Sequence, residues 1–69
     1  MTEEPSFIPA LIRAVDHLGS QDKASAATGI PQGTISRWLR GEVKRLPYDA
    51  PLKFERATRG KVKAREFLE

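Results

Sequence analysis

The sequence predicts an all-α domain, a small bundle of four to five helices, and three observations carry that prediction. Apolar residues recur at three- and four-residue spacing along the chain, and there is no convincing run of strand alternation. Gly19, Gly29, Gly41 and Gly60 stand where successive apolar stripes end, the place at which helices stop. Pro9, Pro31 and Pro51 stand where stripes begin, where a missing backbone N–H is harmless.

The first helix is expected over residues 8–18. Ile8, Leu11, Ile12, Val15 and Leu18 form one continuous stripe, with Ser6 available as a cap and Gly19 as the stop. Ser20 then suits an N-cap, with Asp22 near the positive end of a second helix over 21–28. That segment is short and alanine-rich, so it holds only by packing on its neighbours. Ile30 falls in the turn, Pro31 opens or caps a third helix, and Ile35, Trp38 and Leu39 give its apolar face before Gly41. Residues 41–48 are expected to be loop. Asp49 is a reasonable N-cap for a fourth helix, with Pro51 second in it and Gly60 beyond its end at residue 58 or 59. Phe54 and Ala57 share its core face, whereas Leu52 lies about 200° around from Phe54. Residues 62–68 are expected to form a short fifth helix, with a frayed tail as the alternative. One domain accounts for residues 1–69, with residues 1–6 frayed.

Composition narrows the function. With no cysteine and one histidine, the chain offers neither a disulfide framework nor a cysteine-based zinc site, so no metal is expected. His17 is read as a surface or structural side chain, and Trp38 as core. There is no nucleophile–base pair, no carboxylate pair in an apolar setting and no glycine-rich phosphate loop; no enzyme, cofactor or small-molecule ligand is expected. No stretch is long and apolar enough to span a bilayer, and the acidic start is not that of a secretory signal; a cytoplasmic protein is expected. Charge is unevenly spread. Residues 1–22 carry Arg13 against four acidic side chains, while residues 23–69 carry eleven Lys and Arg against five. That asymmetry is a nucleic-acid-like footprint.

Residues 20–40 combine two short helices, a glycine turn and apolar anchors on the second helix, the makings of a helix-turn-helix. Ala24, Ser25 and Ala27 supply small side chains where the helices touch, Gly29 accepts positive φ, and Ile30, Ile35 and Trp38 anchor the second helix. Gln32, Gly33, Ser36 and Arg37 are then left on its outer face. Arg suits guanine, Gln suits adenine and Ser suits either, so these four are the candidate base contacts. Lys23, Lys44 and Arg45 are candidates for the flanking phosphates; Lys44 and Arg45 lie in the loop that follows the third helix, close to the DNA backbone if that helix enters the groove.

The run Thr-Gly-Ile-Pro-Gln-Gly-Thr-Ile-Ser-Arg-Trp-Leu, residues 28–39, resembles the helix-turn-helix of lambdoid phage repressors of the Cro and CII kind. The later run Phe-Glu-Arg-Ala-Thr-Arg-Gly-Lys-Val, residues 54–62, is similar to the tail of YdaS/Cro-like regulators. Together the two resemblances span roughly residues 8–68, and they imply a lambda-repressor-like fold. They also imply a sequence-specific repressor of double-stranded DNA, acting as a dimer on a pseudo-palindromic operator and blocking polymerase sterically. By position they make the third helix the recognition helix. They put Gln21 on a phosphate, and Arg40 on a base or a phosphate; Thr34 joins the backbone contacts. Two departures stand out: Ser25 replaces the usual alanine, and Gly33 replaces a side chain that often touches a base.

A CII-like activator or a YdaS-type antitoxin regulator would share the same DNA-binding unit. A helical protein-interaction module would instead carry more aromatics on the outer face of the third helix than Gln, Ser and Arg. Leu46, Tyr48, Leu52, Val62, Phe67 and Leu68 are apolar residues beyond the needs of the helix-turn-helix. Some complete the core, and the rest, with Leu52 and Phe67 foremost, are expected at a dimer face over residues 49–68.

Overall fold

A computed structural model describes residues 7–67, and every regular element in it is helical. In order these are α1 (Ile8–Leu18), α2 (Gln21–Thr28), α3 (Gln32–Leu39), α4 (Ala50–Ala57) and a closing 3-10 turn (Ala64–Phe67). The domain is all-α, as the spacing of its apolar residues requires. The expectations for the frayed residues 1–6, the Ser6 cap and Leu68 lie outside the described residues.

Local chemistry sets most boundaries. Phe7 occupies the N-cap position of α1 without a side-chain cap, and Gly19 ends the helix at φ +112°. Ser20 caps α2, its hydroxyl accepting from the Lys23 backbone N–H at 3.2 Å. Asp49 holds the N-cap position of α4 but makes no capping hydrogen bond; its carboxylate pairs with Lys53 one turn on, at 3.3 Å. α4 also stops earlier than expected, at Ala57. The Arg59 N–H donates to Arg56 O and the Gly60 N–H to Glu55 O, so the helix is closed by Arg59, left-handed at φ +56°, with Gly60 following it at φ +81°.

α1 crosses α2 and α3, α2 also meets α4, and the 3-10 turn folds back onto α1 and α4. Leu11, Ile35 and Phe54 are fully enclosed where these elements meet, joined by Trp38, Ile30 and Val62. The buried face of α1 is Phe7, Ile8, Ala10, Leu11, Ala14 and Val15, which corrects the simple stripe. Ile12 belongs to that stripe by spacing yet is 46% exposed, because α2, α3 and the tail cover the sector centred on Leu11 and leave Ile12 beyond its edge. Phe7, one turn before Leu11, is buried beside it on the side away from Ile12.

The second correction concerns Phe67, expected with Leu52 at a dimer face. It is 3% exposed and stacks on Phe54 with ring centroids 5.5 Å apart, inside the monomer's own core. The tail that carries it is tied down by hydrogen bonds. Glu55 accepts from the Ala64 N–H at 2.7 Å, Glu66 accepts from the Lys63 N–H at 2.9 Å, and Arg13 of α1 pairs with Glu66.

Candidate nucleic-acid interface

The turn between α2 and α3 is closed by one threonine. Thr28 Oγ1 donates to Ala24 O at 2.7 Å and accepts from the Ile30 N–H at 3.2 Å. Gly29 sits between them at φ +76°, its N–H on Ser25 O, a left-handed residue in the αL cap of α2. Ile30 is driven into the core by this geometry, and Pro31 starts α3 at once, its carbonyl accepting from Thr34 and Ile35 N–H. At the α2–α3 contact Ala24 is fully buried and Ser25 half-buried. Ala27, expected there as well, is exposed; the helices touch along the Ala24 side only.

With Ile35 and Trp38 anchored inward, α3 presents Gln32, Gly33 and Arg37 to solvent, with Ser36 and Thr34 half-buried beside them. The space where a Cβ of Gly33 would stand is open, and its backbone is ordinary helix. Nothing inside the fold requires glycine there. The surface at this point is as flat as a helix can offer.

The far end of α3 is closed by a Schellman motif. The Glu42 N–H donates to Arg37 O at 3.1 Å and the Gly41 N–H to Trp38 O at 3.0 Å, with Gly41 at φ +75°. The motif holds the chain immediately after α3 in one orientation. Arg40, exposed at this end, forms an ion pair with Glu42, Nε to Oε2 at 2.9 Å. Sequence reasoning named Arg40 and passed over Glu42. The available signal was that Glu42 is the sole acidic residue between positions 23 and 48.

Of the remaining candidates, Lys23 is exposed and Gln21 half-buried at the start of α2. Lys44 and Arg45 are exposed in the loop after α3, where they border an open groove of 720 Å³. Leu46, Pro47, Pro51 and Leu52 form part of its apolar lining, with Tyr48, 95% exposed, at its edge. Trp38 is buried, as its spacing requires, and His17 is exposed. Among the described residues no cluster of His, Asp and Glu is suited to hold a metal ion, and no helix is long and apolar enough to cross a membrane.

No curated protein and no solved structure matches the chain. A family model does: that of the DNA-binding transcriptional regulator Cro, over residues 12–68, from the second turn of α1 through the tail. The match takes in the helix-turn-helix and the 3-10 turn alike, and the chain belongs to this family of DNA-binding transcriptional regulators.

Proposed function

We propose that this Cro-family regulator is a repressor that binds a pseudo-palindromic operator in double-stranded DNA as a homodimer, in the cytoplasm of a bacterial host. The observation that carries the proposal is the outer face of α3, which offers Gln32, Gly33, Ser36 and Arg37 and no aromatic side chain. Polar and cationic groups of that kind match base edges in the major groove, and a helix fits that groove. Arg37 is the principal reader in this arrangement, and Gly33 lets the duplex approach the helix backbone.

Around this face, Gln21, Lys23, Thr34 and Arg40 hold phosphates on either side of the groove, and Lys44 and Arg45 extend the contact along the loop. Each fixes register without reading sequence. The dimer is assigned to Leu52, which is 46% exposed on the side of α4 away from Phe54 and lines the same groove as Tyr48. Two recognition helices would then enter successive major grooves about 34 Å apart.

Selection of random duplex DNA by the purified protein at about 150 mM salt tests the proposal. A two-fold symmetric motif is the expected result, and the spacing of its half-sites gives the dimer geometry. Weak, salt-sensitive binding without a motif would leave only non-specific attraction between a cationic protein and a polyanion, and the operator reading would fall.

A further inference from the structure

We infer that Glu42 is a built-in phosphate surrogate that holds Arg40 while no DNA is bound, and so lowers the sequence-independent part of DNA affinity. The inference rests on the DNA-binding reading of α3 and deepens it. Two independent observations support it. In the sequence, Glu42 is the one acidic side chain between positions 23 and 48, in a stretch that also carries Lys23, Arg37, Arg40, Lys44 and Arg45. In the structure, its backbone is locked at the end of α3 by the Glu42 N–H to Arg37 O bond, and its carboxylate meets Arg40 Nε at 2.9 Å.

Stability does not account for such a pair. Both side chains are about half exposed or more, at 61% and 47%, and exposed ion pairs contribute little to folding. Gly41 and the two backbone hydrogen bonds already close the helix without the carboxylate. What the pair does change is the state of Arg40. A guanidinium engaged with a carboxylate must release it before taking a phosphate, and the released carboxylate then faces the same polyanion. Both effects weaken every phosphate contact that Arg40 makes, whatever the base sequence. Glu42 is therefore a positioning residue acting through Arg40, and it reads no base.

The test uses the full chain in four forms: wild type, Glu42→Gln, Arg40→Gln and the double variant. Binding is measured by fluorescence anisotropy on a random-sequence duplex and on the duplex recovered by selection, over a range of salt. Glu42→Gln is expected to tighten both duplexes by one common factor, about two- to fivefold, the scale of one exposed ion pair. The slope of log K against log salt should steepen by at most about 0.9, because Arg40 no longer exchanges an internal ion pair for its phosphate contact. In the Arg40→Gln background the same change should yield less than half that gain. Equal gains in both backgrounds would mean that Glu42 acts as a bulk charge and would overturn the pair. So would a wild-type protein that binds and a Glu42→Gln protein that binds no tighter, or a gain confined to one sequence. A wild type that binds neither duplex at low salt would remove the DNA-binding reading itself. Thermal unfolding of all four checks that none has lost its fold, as expected for side chains this exposed.

Discussion

Thr58 is the one polar side chain among the described residues that the core encloses completely. Its hydroxyl donates to Phe54 O at 2.8 Å and accepts from the Val62 N–H at 3.2 Å, so one oxygen joins the last turn of α4 to the start of the tail. Thr58→Val keeps the volume and removes the acceptor, leaving a buried N–H unpaired. That change is expected to cost about 1–3 kcal/mol in urea unfolding, whereas an exposed hydroxyl would cost next to nothing. Arg37 stands at the opposite extreme, exposed and without a part in the core. Arg37→Ala should leave the unfolding curve in place and weaken binding to the selected duplex by about 1–3 kcal/mol, relaxing preference at one base pair. A loss spread evenly over all sequences would make Arg37 a phosphate contact. The composition of both positions was visible in the sequence, but only Arg37 could be given a role from it. A threonine after a helix has many partners within reach, and which it meets depends on where Val62 lies.

At the scale of elements, the helix-turn-helix was the most legible part of the chain. Its start, turn and stop are decided within a few residues, by Ser20, by Gly29 and Ile30, and by Gly41. The tail was the least legible. It is a single 3-10 turn, too short to hold itself, and it persists through contacts with α1 and α4. Glu66 is central to them. The Lys63 backbone N–H donates to its carboxylate and holds it below the ordinary carboxylate range; partial desolvation opposes this, and Arg13 reinforces it. A carboxyl that ionises more readily in the folded chain stabilises it fully above the unfolded value of 4.5, and that contribution is lost as pH falls below it. Acid should therefore loosen the tail before the helix-turn-helix. Amide protection at Lys63, measured against the intrinsic exchange rate at each pH, should fall between about pH 5 and pH 3 in the wild type more than in Glu66→Gln. Equal losses of protection in the two proteins would place the acid sensitivity elsewhere.

For the whole molecule, the question is which apolar residues belong to one chain and which to an assembly. Phe67 and Leu52 were both candidates for a dimer face, and they separate here. Phe67 stacks on Phe54 inside the monomer, while Leu52 remains at the surface with Tyr48. Phe67→Ala is expected to cost about 3–5 kcal/mol of stability, a large share of what so small a domain possesses. Leu52→Glu should leave the monomer's stability within about 0.5 kcal/mol and reduce dimerisation, as read by sedimentation at micromolar concentration. A Leu52→Glu protein that dimerises as well as wild type would remove Leu52 from the interface. An unchanged melting temperature for Phe67→Ala would contradict its place in the core.

The sequence by itself determined the helical class, the helix-turn-helix and the identity of the side chains on the outer face of α3. Apolar spacing, caps and glycine stops act over three or four residues, and neighbours in the chain are enough to decide them. The tertiary structure alone decided the fates of Ile12, Ala27 and Phe67, the bonding of Thr58 and the pairing of Arg13 with Glu66, which lie 53 positions apart. It also showed Glu42 turned back onto Arg40. Each of these depends on how the tail and α4 close over α1, or on the direction a side chain takes once its helix is packed. No local rule carries that information, because period and propensity specify a face but not what comes to cover it.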